Sequence, residues 1–148
     1  MDKLKKIKVI AQRKYKSRQY FRAQKKTVLL IEDDNALREN FAELMELSGY
    51  LALTAANGKS GIAKAKEHLP DIIICDIMMP EMDGYSVLDH LSKNEATPRI
   101  PFIFLSAKTD IKDIHEGIDL GADDYITKPY KEKDLLNTIE KYLSKYAK

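Results

Sequence analysis

One cysteine, Cys75, and no tryptophan occur in 148 residues, and histidines number three. A lone cysteine excludes a disulfide framework and a metal–thiolate cluster, which points to a reducing cytoplasm. His68, His90 and His115 fall in three separate predicted helices with no partner at ligand spacing. They read as surface or boundary side chains rather than zinc ligands or phosphohistidines. No apolar run approaches the ~20 residues that cross a bilayer. The N-terminus is basic but lacks the continuous apolar stretch of a signal peptide. No internal repeat or low-complexity tract interrupts the chain. What remains, 44% apolar and 32% charged, is the balance of a soluble globular protein with one real core.

Acid is missing from one end. Residues 1–26 hold eleven Lys and Arg against one acid, a net +10, while residues 27–148 hold 14 bases against 22 acids, a net −8. The chain therefore divides into a basic arm, 1–26, and an acidic domain, 27–148. In the arm, Leu4, Ile7, Ile10 and Ala11 hint at a short amphipathic helix that fades by Lys14. The arm reads as a mobile solvated segment. Docking on an acidic surface, its own or a partner's, stays open, as does contact with nucleic acid or anionic lipid through the interleaved Tyr15, Tyr20 and Phe21.

From Thr27 onward the pattern is strand then helix, five times over. Val28–Ile31, Ile72–Cys75 and Phe102–Leu105 are short, continuous, largely β-branched or aromatic runs, the signature of strands buried on both faces. Leu51–Ala55 and Asp124–Thr127 complete the set. Helices are expected from Asn35, as N-cap, to Ser48, from about Lys59 to His68, from Tyr85 to Leu91, from Asp110 to Leu120 and from about Lys131 to Tyr146. Their inward residues are expected to include Phe41, Leu47 or Ser48, Leu69, Val87, Ile118 and Leu135. Gly49 and Gly121 supply stops. Such alternation predicts an α/β fold, a five-stranded parallel sheet with right-handed crossovers and helices on both faces.

A parallel sheet brings its strand ends to one edge, where open α/β sheets bind ligands. The first strand then delivers Glu32 and Asp33, the third Asp76, the fourth Ser106 and the fifth Lys128. Crowded carboxylates repel unless a cation joins them. An all-oxygen donor set suits Mg²⁺, with Mn²⁺ or Ca²⁺ as the other candidates. Asp76 is a candidate nucleophile for an acyl phosphate, Lys128 a source of positive charge and Ser106 a hydrogen-bond donor to a phosphoryl oxygen. Asp34 and Asp83 read as solvated or capping residues, Cys75 as an inert buried thiol, and Met78, Met79 and Met82 as packing side chains.

Four motifs lie in order at these strand ends: VLLIEDD, DIIICDIMMPEMDG, FIFLSA and GADDYITKPY. Together they resemble the receiver domain of two-component response regulators, in the single-domain manner of the chemotaxis regulators. The resemblance runs from Thr27 to about Lys145 and implies a flavodoxin-like (βα)5 fold. It implies that Asp76 is the phosphoacceptor, fed by a sensor histidine kinase or a histidine phosphotransfer protein. It further implies that Mg²⁺ is held by Asp33, Asp76, the backbone carbonyl of Met78 and, through water, Glu32. Ser106 becomes the switch hydroxyl, Tyr125 the switch aromatic, and Lys128–Pro129 a cis peptide. Met78 and Lys108 occupy the two positions that vary within the family and tune how long the phosphoryl group lasts.

Read this way, the protein is a phosphorylation-dependent signalling switch acting on a downstream protein target, monomeric or a weak phosphorylation-dependent dimer. It assists its own phosphorylation and dephosphorylation without turnover. Two other readings stay open. A Mg²⁺-dependent aspartyl-phosphate phosphohydrolase would need an acid two residues beyond its nucleophile, where Met78 stands. A receiver-like scaffold that never exchanges phosphate has no use for the full set of reactive residues.

Overall fold

The computed structural model describes residues 2–107 and 111–145, including the side chains of all of these except 17–24 and 111. Five strands alternate with helices: β1 (Thr27–Ile31), β2 (Leu51–Ala55), β3 (Ile72–Cys75), β4 (Phe102–Ser106) and β5 (Asp124–Thr127). The helices are α1 (Lys3–Gln24), α2 (Asn35–Leu47), α3 (Gly58–His68), α4 (Gly84–Ser92), α5 (Ile111–Asp119) and α6 (Glu132–Lys145). All strand pairs are parallel, in the order β2-β1-β3-β4-β5. The chain reverses its direction across the sheet after β2, so the loops following β1 and β3 flank a crevice.

Alternate residues of the central strands feed two cores, as period-two geometry requires. Leu29, Ile31, Ile73, Cys75 and Phe104 pack with Ile62 and Ala65 of α3 and Val87 and Leu88 of α4. Val28, Leu30, Ile74, Ile103 and Leu105 pack with Phe41 and Met45 of α2 and Leu135, Ile139 and Tyr142 of α6. Every residue of β1 past Thr27, and all of β3 and β4, is buried. The expected α/β architecture with helices on both faces is the one found.

Local corrections concern helix ends and faces. Asp34, not Asn35, caps α2, its carboxylate accepting from the Leu37 N–H at 3.0 Å. Asn57 caps α3, accepting from Ser60 N–H at 2.8 Å, so that helix begins at Gly58. Leu47 is 81% exposed; Met45, four residues after Phe41, takes the inward position instead. Leu69 sits at the left-handed C-cap of α3 and points out, and Ile118 of α5 is also exposed. The basic segment forms a 22-residue helix rather than one that fades by Lys14. Among the described residues, no helix is long and apolar enough to cross a membrane.

Candidate functional site

The ladder hydrogen bonds run one residue past the strands and place the reactive side chains. Glu32 N–H donates to Ala55 O at 3.0 Å, Asp76 N–H to Ile31 O at 2.9 Å and Lys128 N–H to Ser106 O at 3.0 Å. Glu32, Asp76 and Lys128 therefore leave their strands at one edge, directly above the buried runs that hold them. Carboxylate oxygens of Glu32, Asp33 and Asp76 all lie within 4.8 Å of one another. Glu32, Asp76 and Ser106 are buried and Asp33 is exposed.

Lys128 spans the two buried acids. Its Nζ donates to Glu32 Oε2 at 2.7 Å and to Asp76 Oδ2 at 3.2 Å. Burial works against its charge, but the bond to Glu32 and the field of Asp76 outweigh that and hold the ammonium above its ordinary range. Burial pushes the Glu32 carboxyl up from 4.5 to about 7; the Lys128 bond opposes the shift and the Asp76 charge adds to it. One cation does not neutralise three carboxylates, and the donor set is oxygen throughout. Both facts fit a hard divalent cation at this edge.

Backbone groups complete the setting. Met78 N–H lies 3.3 Å from Asp76 Oδ1 and Asp34 N–H 3.2 Å from Glu32 Oε1. Gly84 N–H closes the loop on Ile77 O at 2.9 Å, and a side-chain carbon at Gly84 would come within 2.4 Å of Asp76 O. Only glycine lets the start of α4 approach the loop so closely. Asp83 caps that helix through Ser86 N–H at 2.9 Å. Tyr125 is half-buried beside β4, and its hydroxyl shares a hydrogen bond with Ser106. Burial raises its pKa, and the Ser106 bond tempers the rise. The Lys128–Pro129 peptide is cis.

The histidines lie on helices and not at the strand ends. His68, His90 and His115 are exposed on α3, α4 and α5. Cys75 lies fully buried one residue below Asp76, donates from Sγ to Asp76 O at 3.2 Å, and has its thiol pKa pushed up by burial. Met79 is in the core, Met82 packs against it, and Met78 is 61% exposed. Lys108 lies outside the described residues. Arg38 escaped the sequence reading: Nη1 donates to the Glu32 carbonyl at 2.7 Å and Nη2 to Asn35 at 3.0 Å, pinning the acidic loop to α2. Its one signal is being the sole base in a helix otherwise rich in glutamate. Beside Lys128, a groove of about 920 Å³ opens between α2 and the β5–α6 loop, lined by Leu37, Leu44, Leu47, Pro129 and Tyr130.

Comparison with known proteins bears on this geometry directly. Residues 28–140 match the family model of the response regulator receiver domain. The DNA-binding dual master transcriptional regulator RpaA of Synechocystis is 37% identical over 116 residues, covering 78% of this chain and 48% of RpaA. The phosphate regulon regulatory protein PhoB of Pseudomonas aeruginosa is 36% identical over 118 residues, covering 80% of this chain and 52% of PhoB. The chain thus spans about half the length of the curated relatives it matches. Chemotaxis protein CheY4 of Vibrio cholerae superposes with a TM-score of 0.75 at 28% identity, covering 80% of this chain and 98% of CheY4. The receiver domain of the sensor histidine kinase PA1611 from Pseudomonas aeruginosa, solved with a magnesium ion coordinated in its active-site cleft, superposes at 0.74 with 26% identity. It covers 81% of this chain and 98% of its own. With its motifs, sheet order and clustered strand ends all in register, this chain belongs to the response regulator receiver domain family.

Proposed function

We propose that the chain is a phosphorylation-dependent signalling switch in which Asp76 accepts a phosphoryl group from a phosphohistidine on a partner protein. The observation that carries this reading is the meeting of Asp76 with a second buried carboxylate, an exposed one and a lysine at a single sheet edge. A carboxylate oxygen of Asp76 forms the new P–O bond, the P–N bond of the donor breaks, and the imidazole leaves with the electron pair and takes up a proton. Transfers of this kind need positioning and charge neutralisation above all. In this reading Lys128 moves from its carboxylate partners onto a phosphoryl oxygen, and Ser106 donates its hydroxyl to another.

Glu32, Asp33 and Asp76, with the backbone carbonyl of Met78, are the residues that would hold Mg²⁺. The three clustered carboxylate oxygens support that assignment, and Mn²⁺ would serve by the same donor chemistry. Bound there, the ion supplies charge neutralisation to the phosphoryl oxygens. Recruitment of Ser106 disturbs its bond with Tyr125, and the β5 face changes with it. The groove beside Lys128 is open to a partner's phosphohistidine, and output passes to a further protein target.

The reading makes Asp76 an acceptor and not a turnover centre. Acetyl phosphate or a phosphoramidate with Mg²⁺ tests it: one phosphoryl group per chain on Asp76 is expected, absent in Asp76→Asn. Steady release of many equivalents of phosphate would instead make the chain a phosphohydrolase, and no reaction at all a scaffold.

A further inference from the structure

Helix α1 departs from what a surface helix normally needs. From Lys3 to Ile31 the chain contains no acid, and seven of the fourteen residues Lys3–Lys16 are Lys or Arg. Within the helix Lys3–Lys6, Lys5–Lys8 and Arg13–Lys16 are like-charge neighbours three apart, each costing a few tenths of a kcal/mol. No carboxylate lies along it to offset them; Asp2 caps its first turn, accepting from Lys5 N–H at 2.8 Å. From Asp2 to Lys16 every side chain is exposed except the half-buried Val9, so the receiver's core does not hold that stretch of the helix down. Over the described stretch Lys3–Lys16, crowded like charges with little packing raise the free energy of the helix, and a polyanion lowers it.

We infer that α1 is a binding element for duplex DNA, engaging the phosphates without reading sequence. At about 100° per residue, the basic side chains Lys3 and Lys14, Lys5 and Lys16, Lys6 and Arg13, and Lys8 point in four directions around the axis. Charge on nearly all sides suits a groove walled by phosphates of both strands. Leu4, Ile7, Ile10, Ala11 and Tyr15 spread over about 140°, but Lys3 and Lys14 fall within that arc, so no continuous apolar face is left to bury in a core or a lipid interface. A 22-residue helix is about 33 Å long and 10–12 Å across. Those dimensions match one turn of B-form DNA and the width of its major groove. The narrow major groove of an RNA duplex does not admit a helix. The acidic body, net −8 over residues 27–148, is repelled by the same phosphates, so the helix enters while the receiver stays outside.

The test is fluorescence anisotropy of a labelled DNA duplex of mixed sequence, roughly 24 bp, titrated with the full chain across a series of salt concentrations. Binding in the micromolar range is expected, with log K falling by about 0.9 per phosphate contact against log salt. Replacing Lys3, Lys5, Lys6 and Lys8 together by glutamine keeps helix propensity and leaves the strand-end site untouched. That variant should bind at least about tenfold more weakly with a shallower salt slope, and should still take up phosphoryl from acetyl phosphate. Equal binding by the variant would overturn the inference. So would RNA duplex bound as tightly as DNA, or capture by phosphatidylserine vesicles with no binding to the duplex.

Discussion

Glu32 is buried beside a second carboxylate, and its pKa is raised from 4.5 to about 7. Between these values the folded chain binds more protons than the unfolded one, so stability falls as pH rises through that window. Below it both states are protonated and the penalty is absent; above it the penalty is complete. In metal-free protein, the urea midpoint should therefore decline between pH 4.5 and 7, and Glu32→Gln should flatten the decline. An unchanged slope in the variant would show that another group carries the titration. Met78 presents a thioether where an amide would orient an attacking water, so Met78→Asn should shorten the lifetime of the phosphorylated protein. Phosphoryl loss followed by intact mass checks this, and a longer lifetime for the asparagine protein refutes it. That Glu32, Asp76 and Lys128 share one sheet edge was legible because each directly follows a run the sequence marks as a strand, with Asp33 next after Glu32. Arg38 was not, because its partner is a main-chain carbonyl and main-chain partners leave no trace in residue type.

At the scale of elements, α2 and α4 start beside the reactive loops, and both are capped by aspartates that belong to no proposed chemistry. Asp34→Ala should cost about 1 kcal/mol in chemical unfolding, the ordinary price of a lost N-cap. Gly84→Ala should cost more, about 1–3 kcal/mol, because its new carbon would meet the backbone oxygen of Asp76, and neither partner is a flexible side-chain end. A Gly84→Ala protein as stable as wild type would show that the loop yields freely. Strands were readable to within a residue, and runs buried on both faces marked β1, β3 and β4. Helix faces were less so. Leu47 and Ile118 sit at helical spacing yet are exposed: apolar periodicity continues there and burial does not. The length of α1 escaped the pattern because its apolar spacing fades by Lys14 while helix-forming Lys, Arg, Gln and Ala carry the backbone on.

Across the whole molecule, charge rather than packing decides the behaviour. Lys128 ties β1, β3 and β5 through two carboxylates, and with Asp33 beside them the edge holds more acids than bases. Any ligand that binds only the folded state raises its stability by mass action. Mg²⁺ should therefore raise the thermal midpoint, and a chelator should reverse the gain. The most direct test is a calorimetric Mg²⁺ titration of the wild-type chain against Asp33→Ala, whose exposed carboxylate can be removed without opening the core. One saturable site is expected in the wild type and an affinity weakened about tenfold or more in the variant. An affinity untouched by the loss of Asp33 would contradict it.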